Sequence, residues 1–243
     1  KHARIKRAYS NATNIIANSH FTATRVKQYL ENNNKVSVIH PGISLPIVDQ
    51  QRQKSVKLQL DKHSYILTTI ARLEPRKNHQ IIIRALPELL KHHPNLLYVV
   101  IGEGKERSSI EALSVKLNVR SHVLFTGVLN DAKKSAYLAN SDLFVMPGTV
   151  DKNDVEGFGL AYIEAGFFGI PSIAANVGGA SEAVLHNKTG IVCVAEDQIQ
   201  LEKSILNLLG DKEKRRLLGR QAKIRSAEFL WQNKIQEYFN ILE

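Results

Sequence analysis

Continuous apolar runs of strand length recur along this chain, and a segment of helical periodicity separates each from the next. The runs are "YILTTIARL" (65–73), "NLLYVVIGEG" (95–104), "HVLFTG" (122–127), "DLFVMPG" (142–148), "PSIAA" (171–175) and "IVCVAE" (191–196). They lack the polar–apolar alternation of a half-wet strand, so each expects cover on both faces. Between the first two, a helix over 78–92 places Ile82, Ala85, Leu86, Leu89 and Leu90 on one stripe, with Asn78 as its N-cap. Pro87 sits inside that helix and is expected to kink it. Strand–helix alternation at this spacing predicts right-handed βαβ crossovers and a parallel sheet with helices on both faces.

The remaining segments fill in the order. "TNIIANS" (13–19) and "KVSVIHPGI" (35–43) read as strands around a helix, "TATRVKQYLEN" (22–32). "LPIVDQQRQKSVKLQL" (45–60) reads as a linker running into a short helix. Further helices are expected over 106–119, over 131–141 with Asn130 or Asp131 as cap, from about Leu160, within 178–190 with Ser181 as candidate cap, and from 198 to the end.

Composition sets bounds. Of 243 residues, 43% are hydrophobic, ample for a core. Cys193 is the only cysteine, which excludes an internal disulfide and fits a reducing compartment. No apolar run approaches the ~18–20 residues needed to cross a bilayer. The chain starts at a lysine without a signal-peptide pattern, so further sequence is expected upstream. The net charge of +10 suits a solvated basic surface, phosphate-bearing ligands or an anionic membrane face. Its basic clusters are "KHARIKR" (1–7) and "DKEKRRLLGRQAKIR" (211–225), the latter spaced as the wet face of a helix that can also lie on lipid. Nucleic acid is disfavoured as a partner, because zinc-finger spacing and aromatic-interleaved basic strips are both missing.

In parallel sheets, ligands bind where strands end and helices begin. In "ARLEPRKNH" (71–79), Arg72 and Lys77 flank a helix N-terminus, a place for a diphosphate or simply a charged loop. "IGEGKE" (101–106) offers Gly102 and Gly104, but Arg107 stands where a dinucleotide fingerprint needs its third glycine. Gly127 turns the chain in "FTGVLND" (125–131), where the backbone at Val128 and Leu129 either lines a base pocket or merely turns. "NVGGASEAV" (176–184) either closes over a ligand or turns the chain.

"DVEGFGLAYIEAGFFGIPSIAA" (154–175) carries the most chemistry. Gly157, Phe158 and Gly159 lead into a helix whose first amides, from Leu160, lack partners within it and favour an anion. Glu156 precedes this N-terminus and Glu164 lies inside the helix. Eight residues at helical rise span ~12 Å, too far for two carboxylates to share one proton. They suit the two hydroxylated ends of an elongated ligand. Glu164 lies in an apolar run and therefore needs a partner, internal or ligand-borne.

In order along the chain, "IARLEPRKN", "VVIGEGKERSSIEALSVKLNVRSHVLFTGVLND", "LANSDLFVMPG", "VEGFGLAYIEAGFFGIPSIAANVGGASEAV" and "TGIVCVAED" resemble the carboxyl-terminal domain of GT-B retaining glycosyltransferases, family 4. The spacing of Glu156 and Glu164 matches that family's signature. The resemblance implies a Rossmann-like α/β domain over 44–228, a remnant of an amino-terminal acceptor domain over 1–43, and a crossover helix over 229–243 with Trp231. It also assigns roles. Arg72 and Lys77 would stabilise the departing nucleotide, Glu156 would hold the transferred hexose, and Glu164 would bind the ribose. Amides at Gly157, Phe158, Gly159 and Leu160 would hold sugar and phosphate, Gly127 and Val128 would lie near the base, and Gly102 would line the donor site.

The implied donor is a nucleotide diphosphate sugar, GDP-mannose first, and the implied acceptor is a glycan or lipid-linked. The implied location is cytoplasmic, with peripheral attachment to the membrane's inner face. No metal or cofactor is expected, since a D-x-D triplet is missing and Asp151 and Asp154 are spaced to shape a loop. The family's acceptor-side histidine has no counterpart that can be assigned, so the chain alone is expected to bind donor without turnover. The rival reading is a non-enzymatic basic module for RNA or anionic membrane, which leaves Glu164 unexplained. A nicotinamide dehydrogenase would need glycines where Arg72 stands. A glycoside hydrolase needs its two acids ~5–9.5 Å apart across one bond.

Overall fold

The computed structural model describes residues 2–30 and 34–241. From the amino terminus it runs α1 (His2–Asn11), β1 (Ile15–Ala17), α2 (His20–Lys27), β2 (Val36–Val38) and α3 (Gln50–Leu60). There follow β3 (Tyr65–Ile70), α4 (His79–His92), β4 (Leu96–Ile101), α5 (Arg107–Lys116), β5 (Val123–Gly127), α6 (Asp131–Leu138) and β6 (Leu143–Met146). The chain continues through α7 (Leu160–Phe167), β7 (Ser172–Ala175), α8 (Ala180–Ala183), β8 (Gly190–Cys193), α9 (Gln198–Gly210), α10 (Lys212–Glu228) and α11 (Trp231–Phe239). The expected helix 22–32 ends at Lys27, and its residues 31 and 32 lie outside the described residues, as do Lys1 and residues 242 and 243.

The six apolar runs pair as one parallel sheet in the order β5-β4-β3-β6-β7-β8, while β1 and β2 form a separate parallel pair. Side chains alternate between the faces, as the pleat requires. Leu96, Tyr98 and Val100 of β4 join a core with Ile82, Leu86 and Leu89 of α4 and Ile205 of α9. Leu97, Val99 and Ile101 face the opposite side, with Val56 of α3 and Ala136 of α6. On that side, Phe144 and Met146 of β6 pack with Tyr162 and Ile163 of α7. The Rossmann-like sheet thus has helices on both faces.

Strand order reverses between β3 and β6. These two strands pair only at Leu67↔Leu143 and Thr68↔Phe144, whereas β3 and β4 pair from Tyr65↔Leu96 through Ile70↔Ile101. The carboxyl ends of β3 and β6 therefore part, and this switch point is where sheets of this kind bind ligands.

Local expectations met tertiary structure unevenly. The amino-terminal strands shrink to three residues each, because each pairs on one side only. Helix α4 continues through Pro87 without a break, anchored by a stripe wider than expected that also buries Ile81 and Ile83. Asn78 precedes α4 in the left-handed region at φ 52°, and its side chain makes no capping bond within the described residues. Ser181 is not a cap. The α8 cap is Gly179, with Ser181 one residue inside the helix, because Gly178 and Gly179 press on the 156–157 backbone and take up the turn themselves. Asn130, rather than Asp131, caps α6 by accepting from the Lys133 amide at 3.0 Å.

Candidate functional site at the sheet switch point

The β3–α4 loop and the β6–α7 loop meet at the switch point. A 3-10 turn over Pro75–Lys77 sends Lys77 inward, where it is 9% exposed. Its ammonium forms an ion pair with Glu156 and lies 3.8 Å from the Met146 sulfur. Burial pushes the Lys77 pKa below its ordinary value, and the Glu156 carboxylate opposes that shift.

Arg76 joins the pair. Its Nη1 lies 3.4 Å from Glu156, and its Nε lies 3.0 Å from Asp154 and 3.6 Å from Glu74. Its carbonyl accepts from the Thr149 amide at 2.8 Å, stitching the two loops together. Arg72, mostly exposed, reaches Glu74 at 2.7 Å and keeps the rest of its guanidinium toward solvent. Reading the sequence alone missed Arg76. The only signal available was a third cation in "RLEPRKN".

The loop before α7 is shaped by backbone contact. Asp151 and Asp154 exchange backbone hydrogen bonds of 3.0 and 2.8 Å, which closes a tight turn. The Gly179 amide donates to the Glu156 carbonyl at 2.8 Å. A Cβ on Gly178 would stand 2.1 Å from that carbonyl oxygen. Gly159 adopts φ 96° just before α7, and the Tyr162 ring leaves no room for a side chain on it. Phe158 is buried against the rings of His40 and Phe229, at centroid distances of 4.8 and 5.4 Å. With Gly157 beside Asn18, these contacts hold Glu156 at the switch point. Among the described residues, the first amides of α7 have no side-chain cap from the residue before the helix.

Glu164, on the second turn of α7, has an internal partner and an open side. Lys134 of α6 approaches it at 3.1 Å and also contacts Asp131 at 3.1 Å. Burial works to lower the Lys134 pKa, but Glu164 and Asp131 outweigh it and the net shift is upward. Glu164, Leu160, Lys134 and Asp131 line a cavity of about 290 Å³, with Ser44, Leu45 and Trp231 on its far wall. Arg72, Lys77 and Glu156 are not among its lining residues.

Gly102 and Gly127 meet at the ends of β4 and β5, the Gly102 amide donating to the Gly127 carbonyl at 2.9 Å. Their φ values of 137° and 72° suit glycine, and a Cβ on Gly102 would strike the Ala71 carbonyl oxygen at 2.0 Å. Val128 follows and projects into solvent, 77% exposed. The site residues therefore fall into three groups. Lys77 and Glu156 touch, Glu164 and Leu160 share the cavity, and Gly102 and Gly127 share a bridge.

Comparison with known proteins places this arrangement. Residues 50–225 match the family model described as glycosyl transferases group 1. The chain is 34% identical over 156 residues to the GDP-mannose-dependent alpha-(1-6)-phosphatidylinositol monomannoside mannosyltransferase of Mycolicibacterium smegmatis, covering 63% of this chain and 41% of that protein. It is 31% identical over 190 residues to a GDP-mannose-dependent monoacylated alpha-(1-6)-phosphatidylinositol monomannoside mannosyltransferase of Corynebacterium glutamicum, covering 77% of this chain and 49% of that protein. The chain thus spans under half the length of these relatives. Among solved structures, Anabaena HepE in complex with UDP and glucose superposes with a TM-score of 0.87 at 22% identity, over 100% of this chain and 67% of that one. At that identity the likeness is one of fold. The family model, matched over most of the length by a chain with this sheet order, decides the classification: the chain belongs to the group 1 glycosyl transferases, enzymes of GT-B fold.

Proposed function

We propose that this chain is the donor-binding half of a retaining glycosyltransferase. It moves a hexose, mannose first among the candidates, from a nucleotide diphosphate sugar to a glycan or lipid-linked acceptor. The observation that carries the reading is the contact of buried Lys77 with Glu156 at the switch point, immediately before the N-terminus of α7, where Gly159 offers no side-chain cap. Cations and helix amides favour a diphosphate there, and a carboxylate beside them accepts from sugar hydroxyls.

In this reading Arg72 and Lys77 bind the diphosphate and stabilise it as the anomeric C–O bond breaks. Glu156 gives up part of its contact with the cations and takes hydroxyls of the sugar. The amides from Gly157 through Leu160 hold sugar and phosphate, with Phe158 as their buried anchor. Glu164 turns from Lys134 to the ribose hydroxyls. Gly127 and Val128 flank the base, and Gly102 keeps the floor of the site at backbone height. The acceptor attacks from the face that the nucleotide leaves, and the diphosphate takes its proton, so configuration is retained. The arginine and lysine side chains supply the positive charge, and no metal or cofactor is assigned to this step.

GDP-mannose is favoured by the names of the mycobacterial and corynebacterial relatives, and lipid-linked acceptors by the same names. Work at the cytoplasmic face of a membrane, with peripheral attachment, suits such an acceptor and the charge of +10. The chain spans 41% of the mannosyltransferase from Mycolicibacterium smegmatis, which supports donor binding without turnover by these 243 residues alone.

Calorimetric titration with GDP-mannose, UDP-glucose, ADP-glucose and their nucleotides tests the reading. An RNA oligomer and anionic vesicles serve as rivals. GDP-mannose is expected to bind most tightly, and Arg72→Ala or Lys77→Ala to weaken it by roughly tenfold or more, the size of a lost charge-assisted contact. Glu164→Ala is expected to weaken GDP as well as GDP-mannose. Binding of RNA or vesicles with no response to any nucleotide would replace the transferase reading with that of a basic binding module.

A further inference from the structure

We propose that His20, His40 and Glu182 form a binding site for a divalent metal of the zinc type, which ties the β1–α2 segment to the six-stranded sheet. The three side chains come from separate places. His20 opens α2, His40 lies on the linker after β2, and Glu182 lies on α8. Their ligand atoms all lie within 4.8 Å of one another. His40 Nε2 and Glu182 Oε2 are 3.1 Å apart, close to the ~3.3 Å edge of a tetrahedron with metal bonds of ~2.0–2.1 Å. The His20 ring is exposed and closes the remaining distance by rotation about its own side-chain bonds.

The carboxylate is held ready. Its Oε1 accepts from the Phe21 amide at 2.9 Å and its Oε2 from the His20 amide at 2.8 Å, so its orientation is set by backbone. Burial raises the Glu182 pKa, but these amides and His40 more than reverse it, so the group is an anion at neutral pH. Two carboxylate oxygens offer about four lone-pair positions, which leaves about two beside the amides, one of them facing His40. On binding, the metal takes the place of the hydrogen between His40 Nε2 and Glu182 Oε2, and His40 ligates as the neutral imidazole with its proton on Nδ1. Two imidazoles and a carboxylate without a thiolate suit Zn²⁺, with a fourth position for water. Arg225 donates to the Glu182 carbonyl at 2.7 Å, a cation that reduces affinity and is partly offset by Glu228 at 3.6 Å.

The cluster sits behind the candidate donor loop. The His40 ring packs on Phe158, and Gly179 on the same turn as Glu182 donates to the Glu156 carbonyl. A metal here stiffens the base of that loop, and the inference stands whether or not the loop binds a nucleotide sugar.

Zinc titration of the metal-stripped chain by calorimetry, with Co²⁺ absorption as a second readout, decides it. One equivalent of Zn²⁺ is expected to bind and raise Tm. His20→Ala and His40→Ala should each weaken binding by more than the roughly 10–100-fold that a mere outer-sphere change costs. Co²⁺ should give visible ligand-field bands in the wild type that His20→Ala abolishes, while His122→Ala, on the 3-10 turn before β5, changes neither readout. His20 is exposed, so its alanine variant keeps the fold, which a thermal melt confirms. Failure of the wild type to bind Zn²⁺, or equal binding by wild type, His20→Ala and His40→Ala, would overturn the proposal.

Discussion

Lys77 holds a charge in a position with little water, and Glu156 is what keeps it there. Removing one partner of such a pair strands the other. Glu156→Gln is therefore expected to cost about 3 kcal/mol of stability in urea melts. The double variant Lys77→Met/Glu156→Leu removes both charges and should recover most of that loss, with nucleotide binding abolished. Recovery of stability without loss of binding would separate the pair from the donor site.

His79, the first residue of α4, is 1% exposed, and neither ring nitrogen has a hydrogen-bond partner among the described residues. Burial, aided by the Lys77 charge, lowers its pKa from 6.5 to about 4. The unfolded chain then binds more protons than the folded one between those values, so this contribution is complete above pH 6.5, falls as pH drops from 6.5 to 4, and levels off below 4. The full loss is roughly 3 kcal/mol at 1.36 kcal/mol per pKa unit. His79→Leu should flatten this part of the stability–pH profile measured by denaturant melts at pH 7.5 and 4.5.

At the scale of elements, glycines mark where backbones touch. Gly178 has φ 63° and no space for a Cβ beside the Glu156 carbonyl, so Gly178→Ala should lower stability by about 2 kcal/mol or more and disturb the loop carrying Glu156. Gly210, the last residue of α9, has open space where an alanine methyl would go, with no described atom within 4 Å, and its φ is not positive. Gly210→Ala should raise stability by up to about 1 kcal/mol. The two melts together test whether close approach, rather than glycine as such, sets the cost. The strands and helices themselves were legible from the sequence because continuous apolar runs and 3.6-residue stripes are properties of the chain alone. The cap of α8 was not, because the contact that makes Gly179 the cap comes from residues 156–157 of another loop.

For the whole molecule, the linker after β2 and the start of the carboxyl-terminal helix are tied to each other. Ile43 and Leu230 bridge by backbone, and the Trp231 ring lies over Gly42. Trp231 is the only tryptophan, so its emission reports this junction. If α11 and the linker unfold with the sheet, the fluorescence and far-ultraviolet circular dichroism transitions in urea coincide. An earlier fluorescence transition would identify the junction as a separate, weaker unit.

The sequence alone determined the α/β alternation, the carboxyl ends of the strands as the place for a site, and the candidacy of Arg72, Lys77, Glu156 and Glu164. Each of these follows from local periodicity, turn residues and charge placed beside helix starts. Tertiary structure alone decided that Arg76 reaches Glu156, that Lys134 answers Glu164, and that His20, His40 and Glu182 meet. Those contacts join residues as many as 162 positions apart, and such pairs form only once the sheet order and helix packing bring their loops together.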